Sequence, residues 1–138
     1  MRRINLLLIL VLCTSVLAGC SSSIKASLDN QFTITPGQSA RIASESITIK
    51  FIGVMADSRC PTGVECIRAG DVSCSIEITK DGIKNPITLT DSAGSGSSGG
   101  YIFQNYKIIF SLSPYPVAGK TIAKSDYRLI LKFTKLGN

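Results

Sequence analysis

The stretch Val72-Ser73-Cys74-Ser75-Ile76-Glu77-Ile78-Thr79-Lys80-Asp81-Gly82-Ile83 decides the fold. Val72, Cys74, Ile76 and Ile78 alternate with Ser73, Ser75, Glu77 and Thr79, the period of a strand with one face in a core and the other in water. Asp81-Gly82 then makes the tight turn, because a type I′ hairpin needs positive φ at both central residues, which Asp tolerates and Gly adopts freely. Ile83 and Ile87-Thr88-Leu89-Thr90 form the return strand. Pro86 has no N–H to give to a ladder, so this strand belongs at a sheet edge or a bulge.

The same alternation recurs outward from this hairpin, while no stretch after residue 30 carries a 3.6-residue apolar period. Upstream, Phe32-Thr33-Ile34 begins a strand that Thr35-Pro36-Gly37-Gln38 turns away. Ala40-Arg41-Ile42 and Ile47–Val54 flank Ser44-Glu45 as a second hairpin. In the latter strand Ile47, Ile49, Phe51 and Gly53 share one face, and Ile52 and Val54 on the other suggest cover on both sides near its end. Downstream, Ser92–Gly100 is a Gly/Ser-rich loop. Tyr101–Leu112 reads as one long strand or two short ones, halted by Ser113-Pro114-Tyr115-Pro116. Tyr127, Leu129, Leu131 and Phe133 face one way in the last strand. The expectation is an all-β, antiparallel two-sheet sandwich (Ig-like) of about seven strands, with a small barrel as the alternative, in one domain spanning residues 31–138.

The chain of 138 residues has no His and no Trp, which removes Ser-His-Asp and Cys-His pairs and imidazole metal ligands. At its start Arg2 and Arg3 precede the apolar run 6–12, and small residues close the stretch, the layout of an export signal over residues 1–19. The run is too short for a membrane span, which takes about 20 residues. Leu17-Ala18-Gly19-Cys20 resembles the lipobox of bacterial lipoproteins. That resemblance implies that Cys20 is diacylated on sulfur, with chains such as palmitate, becomes the new N-terminus and is often acylated there too; two or three such chains anchor stably where one does not. Residues 20–30 then form a lipidated tether with a reach of roughly 30 Å, holding the domain just off the bilayer on the extracytoplasmic side, at the outer membrane if the source has one. Loss of Arg2 and Arg3 from the 15 basic residues leaves 13 against 9 acidic ones. These are scattered over the chain, a solvated surface rather than a nucleic-acid stripe.

Asp57-Ser58-Arg59-Cys60-Pro61-Thr62-Gly63-Val64-Glu65-Cys66-Ile67-Arg68-Ala69-Gly70-Asp71 is the most distinctive stretch of the exported chain. Export makes Cys60 and Cys66 disulfide candidates, with Pro61 and Gly63 turning the chain between them, in a loop whose closure contributes about 2 kcal/mol. Cys74 falls on the apolar face of its strand and reads as a small buried hydrophobe. A Cu(I) site from Cys60, Cys66 and Cys74 is the alternative, disfavoured by the missing His and C-x-x-C spacing. An oxygen-ligand calcium site from Asp57, Glu65 and Asp71 lacks the EF-hand order, so their expected role is capping backbone N–H groups, with Arg59 paired to one of them.

This stretch, preceded by Phe51-Ile52-Gly53-Val54, resembles a family of small prokaryotic lipoproteins with a D-S-R-C-P-x-x-V-x-C-x-x-A-G-D core, over roughly residues 32–133. The resemblance implies the fold, the Cys60–Cys66 disulfide and structural roles for Asp57, Arg59, Pro61, Gly70 and Asp71. Arg68 stands where an aromatic residue is common in that family, a departure that puts in doubt any shared ligand contact there. The family carries no established activity.

No residue is nominated as catalytic or metal-ligating, and no cofactor is expected. The preferred function is a non-catalytic binding or structural module of the envelope, meeting the membrane through its anchor and a protein or glycan through its loops, Gly96, Ser98, Gly99 and Gly100 among them. An alternative is inhibition of an extracytoplasmic protease or lysozyme, since Ser98-Gly99-Gly100-Tyr101 resembles the glycine-rich loops of small inhibitor lipoproteins. A glycosidase would need two carboxyl groups across a cleft, and nothing in the sequence sets such a pair.

Overall fold

The structure, a computed structural model, describes residues 23–92 and 99–137. Among the described residues nine strands form two sheets packed face to face: β1 (Ile24–Ala26), β2 (Gln31–Ile34), β3 (Ser39–Ile42), β4 (Ile47–Asp57), β5 (Val72–Lys80), β6 (Ile83–Asp91), β7 (Gly99–Phe103), β8 (Tyr106–Ser113) and β9 (Arg128–Lys135). The first sheet runs β1-β3-β4-β5-β6 and the second β2-β9-β8-β7. Both sheets are open, which settles the sandwich over the barrel. β3 to β6 and β7 to β9 follow one another as antiparallel neighbours, whereas β1 lies beside β3 and β2 beside β9, so the chain passes between the sheets at β1–β2, β2–β3 and β6–β7. Pairing is antiparallel throughout except between β1 and β3.

The core lies between the sheets and is built by the alternation itself. Ile47, Ile49 and Phe51 of β4, Val72, Cys74, Ile76 and Ile78 of β5, and Ile87 and Leu89 of β6 face Phe32 and Ile34 of β2, Ile108, Phe110 and Leu112 of β8, and Leu129, Leu131 and Phe133 of β9, all buried. Phe32 stacks on Phe133 with ring centroids 6.2 Å apart. The β5–β6 hairpin turns at Asp81 and Gly82, both with positive φ (51° and 82°), as the type I′ geometry demands. β6 is an edge strand, which is where Pro86 can be accommodated. Tyr101–Leu112 resolves into two strands because Gln104 takes φ of 52° and turns β7 back onto β8.

Three expectations are corrected. The sheet begins inside the stretch expected to be tether: Ile24–Ala26 pair in parallel with Ala40–Ile42, and Ile24 and Ala26 pack against the core. Two apolar residues around one lysine are too short a pattern to show as a period, so the domain starts at Ile24 rather than at residue 31. β4 is not covered on both faces, since Ile52 is half exposed. Register shifts fall between Phe51 and Gly53 and between Val54 and Ala56; each bulge inserts an extra residue and re-aims the side chains beyond it, so Val54 meets the core while Ile52 points to water. The strand count rises from about seven to nine through β1 and the division of Tyr101–Leu112.

If the β5 alternation sets the core, Ile76→Ala costs about 2–5 kcal/mol while Ser75→Ala, on the other face, stays within about 0.5 kcal/mol. Urea unfolding of the two variants checks this, and equal losses would show that β5 is buried on both faces.

Candidate functional site

The distinctive stretch closes one end of the sandwich. β4 and β5 diverge after Asp57 and before Val72, and the intervening chain continues their ladder for one further step before opening into a loop. The Ser58 amide donates to the Asp71 carbonyl at 2.8 Å and the Cys60 amide to the Ala69 carbonyl at 2.9 Å. The Ser58 hydroxyl accepts from the Asp71 amide at 3.0 Å. Gly70 permits this closeness, because its φ is +73° and a Cβ there would lie 1.9 Å from the Ser58 carbonyl oxygen. Cys60 and Cys66 are joined by a disulfide with their Cα atoms 5.9 Å apart, the pairing expected from the sequence.

Inside this stretch sits a buried ion pair. Asp57 ends β4 and Arg59 follows two residues later, with side chains 7% and 6% exposed respectively. The Arg59 Nε donates to Asp57 Oδ1 at 2.8 Å and Nη2 to Oδ2 at 2.6 Å, the two-pronged geometry that a planar guanidinium and a carboxylate share. Nη1 donates to the Leu112 carbonyl at 2.8 Å and Nη2 to the Pro114 carbonyl at 3.0 Å, at the end of β8. The guanidinium lies 5.0 Å from the centre of the Tyr115 ring. On the other side the Tyr127 hydroxyl donates to Asp57 Oδ2 at 3.0 Å, and the Arg59 amide donates to Oδ1 at 3.2 Å.

The electrostatics follow from these contacts. Burial works against the charged Asp57 carboxyl, but the hydrogen bonds and charge of Arg59 and the Tyr127 hydroxyl outweigh it and hold its pKa below the ordinary value. Burial likewise opposes the Arg59 charge, and Asp57 outweighs it, so its pKa is raised. Burial, with the hydrogen bond to Asp57, raises Tyr127. Beyond the pair, Thr62 forms a parallel bridge with Val117; its amide donates to the Pro116 carbonyl at 2.9 Å and the Ala118 amide to the Thr62 carbonyl at 3.1 Å. The cysteine loop is thereby fixed to the segment that follows β8.

Two shallow clefts flank Arg59. One, of about 240 Å³, is bordered by Val72, Leu112, Tyr115 and Ile130; the other, of about 320 Å³, by Asp57, Pro116, Lys120, Ile122 and Tyr127. Arg59 lines both clefts and Asp57 the second, and these two are already bonded within the protein; Asp91, Ser111 and Ser113 supply further polar groups of the first. Among the described residues no buried side-chain nitrogen or oxygen lacks a hydrogen-bond partner. The carboxylates are not gathered: Asp57 points inward, whereas Glu65 and Asp71 are exposed. Among the described residues no three His, Cys, Asp or Glu side chains come together as a metal site. The three cysteines do not converge as thiolates either, because two are bonded to each other and Cys74 is buried on β5, where desolvation pushes its thiol up to about 12.

Cys20, Gly96 and Ser98 lie outside the described residues, as does the export signal. Gly99 and Gly100, read as loop, are the first residues of β7, opposite Phe110 and Ile109. Sequence reasoning placed Asp57, Arg59, Cys60, Cys66 and Gly70 in the site but missed Tyr115, Tyr127 and the carbonyls of Leu112 and Pro114. The only signal for Tyr127 was a hydroxyl on an apolar strand face, which must find a partner when buried.

At the opposite end a second polar cluster does similar work. The Tyr106 hydroxyl donates to Glu45, and Lys135 pairs with the same carboxylate at 3.0 Å. The hydrogen bond from Tyr106, then Lys135, lowers the Glu45 pKa, while burial and that bond push Tyr106 up to about 12. Comparison of the chain with protein-family models, with curated proteins and with solved structures returns no match.

Removing one partner of the buried pair strands the other. Arg59→Met costs about 3–5 kcal/mol, and a further Asp57→Asn in that background costs less than it does alone, the coupling of a contacting pair. The sign in pH follows from the lowered Asp57 pKa: its contribution is complete above the unfolded value of about 3.9 and is lost as pH falls through the lower folded value. Urea midpoints from pH 6 downward therefore converge between wild type and the double variant in acid, and a constant gap would refute the ionic assignment. Backbone crowding is separable from φ at the glycines. Gly82→Ala, with positive φ but nothing within 4 Å of the added Cβ, costs about 1–2 kcal/mol. Gly70→Ala costs more in the same unfolding measurement, because the Ser58 carbonyl has to move.

Proposed function

We propose that the chain is a lipid-anchored β-domain on the extracytoplasmic side of a prokaryotic membrane, the outer one where the source has two, acting without catalysis as a binding or structural module of the envelope. The observation that carries this reading is the use made of Arg59 and Asp57. They are the most chemically suggestive charged pair in the chain, and four N–H groups of the guanidinium go to the carboxylate and to two backbone carbonyls. Groups so engaged build a scaffold, with the carboxylate oxygens each accepting two hydrogen bonds and one guanidinium N–H left over. What the scaffold offers to the outside is the disulfide loop, with Val64 half exposed and Ile67 fully so. Apolar side chains held out on a rigid loop are contact groups rather than reacting groups. The anchor and export signal rest on the lipobox likeness of residues 17–20, and the family likeness of residues 57–71 agrees with both. The partner proposed beside the membrane is an envelope protein or glycan.

Intact mass of the chain purified from its own membranes tests the anchor. The expected species lacks residues 1–19, carries acyl groups on Cys20, shows two sulfurs that alkylate only after reduction, and has one thiol that alkylates only after unfolding, since Cys74 is buried with a raised pKa. A chain retaining residues 1–19 overturns the anchor, and a Cys74 that reacts in the native state overturns its core placement. Crosslinking in intact cells tests the module: discrete adducts support it, and turnover of an envelope polymer by the purified chain refutes the non-catalytic reading.

A further inference from the structure

The direction in which β1 enters the sheet bears on which end of the sandwich faces the membrane, and this inference rests on the lipid anchor proposed above. β1 is parallel to β3, with Ile24 beside Ala40, and β3 is antiparallel to β4, with Ala40 beside Ile49. β1 therefore runs opposite to β4, and its N-terminal end faces the end of the sandwich where Asp57 lies. From the level of Ile24 to the end of β4 is eight residues, about 26 Å at strand rise and somewhat less with two bulges. Cys20 lies four residues before Ile24 and reaches at most about 14 Å. An anchor on Cys20 is thus held within about 14 Å of Ile24, a shorter distance than that from Ile24 to the point where the disulfide loop begins. β1 is an edge strand with β3 alone between it and β4, so the lateral offset is about 10 Å.

We propose that the disulfide loop is a membrane-docking element, seating Ile67 and Val64 in the interfacial layer of the bilayer that holds Cys20. A sandwich held upright on so short a leash, with this end toward the bilayer, brings the loop to the depth of about 5–10 Å at which amphipathic surface elements bury their apolar face. The side chains at that place suit it. Ile67 is 104% exposed, Val64 50% and Val117 40%, and Thr62 bridges the segment of Val117 to the loop. Arg68 and Lys120 lie beside them, offset by Glu65 and Asp71, so the contact is driven by apolar burial and is insensitive to salt. The disulfide, the Asp57–Arg59 pair and the Thr62–Val117 bridge hold the loop in shape, so docking orders little that was free.

The chain contains no Trp, which makes a single introduced indole an unambiguous reporter. Ile67→Trp, and as control Ile83→Trp at the opposite end, where Ile83 is 67% exposed, are purified as the acylated full-length product and reconstituted into vesicles of phosphatidylethanolamine with a minority of phosphatidylglycerol, with or without brominated acyl chains. The expected result is blue-shifted emission that is mostly lost to brominated lipid for Ile67→Trp, unchanged by salt, and neither effect for Ile83→Trp. Acylated chains that float with the vesicles while the Ile67→Trp emission stays unshifted and unquenched overturn the docking and leave the anchor standing, as does equal quenching of both variants. A chain that carries no acyl group on Cys20 overturns both together.

Discussion

The Arg59 guanidinium organises the end of the sandwich that the two sheets cannot organise by themselves. Between Asp57 and Val72 the chain has left the ladder, and between Ser113 and Arg128 the second sheet has done the same; neither segment has many side chains to bury. A planar cation with N–H groups along several edges solves this by bonding to the end of β4 through Asp57 and to the end of β8 through the carbonyls of Leu112 and Pro114. The carboxylate it pairs with takes the Tyr127 hydroxyl ahead of β9. Three strand ends from two sheets are thereby tied to one residue. A lysine would not serve, because an ammonium cannot engage both carboxylate oxygens and two carbonyls in one plane.

An ion pair in that position is not a free gain in stability, since both charges lose water. It works here because nearly every lone pair and N–H of the two groups is matched, leaving little desolvation uncompensated. The opposite end shows a milder version of the same solution. There Glu45 receives Tyr106 and Lys135, tying the short turn before β4 to β8 and β9, and the groups lie nearer to water. Both clusters staple one sheet to the other where the apolar layer thins out, and they divide the molecule into a constrained loop end and a more solvated hairpin end.

Much of the fold was legible because strand alternation is a direct imprint of a half-buried surface. Val72 to Ile78, Leu129 to Phe133 and the Asp81-Gly82 turn could hardly be read otherwise. What escaped was of two kinds. β1 is held by what lies beside it rather than by its own pattern, so three residues of it look like tether. Likewise the bulges of β4 are decided by its pairing with β5, and they alone determine that Val54 turns inward and Ile52 outward. Within the site, the local pair Asp57–Arg59 was visible two residues apart, whereas the acceptors 53 and 55 residues away are backbone carbonyls, which any residue supplies and no sequence marks.

Under the lipid anchor proposed above, the placement of β1 also bears on the role of the disulfide loop. With a ten-residue tether, a loop carrying Val64 and Ile67 into solvent would be a small hydrophobic liability on a freely tumbling domain. With Ile24 already in the sheet, only three residues separate it from Cys20, and the acyl anchor proposed there would keep the domain close to the bilayer. Such confinement would raise the local concentration of bilayer at the loop much as a linker does for a second binding site, so weak apolar contacts would suffice to set orientation. Rigidity then matters more than affinity: a floppy loop would lose entropy each time it docked. A six-residue disulfide span, an ion pair with nearly all its hydrogen-bonding groups matched and a glycine that lets two backbones touch are the means by which this sequence, with few apolar residues to spare there, would remove that cost during folding.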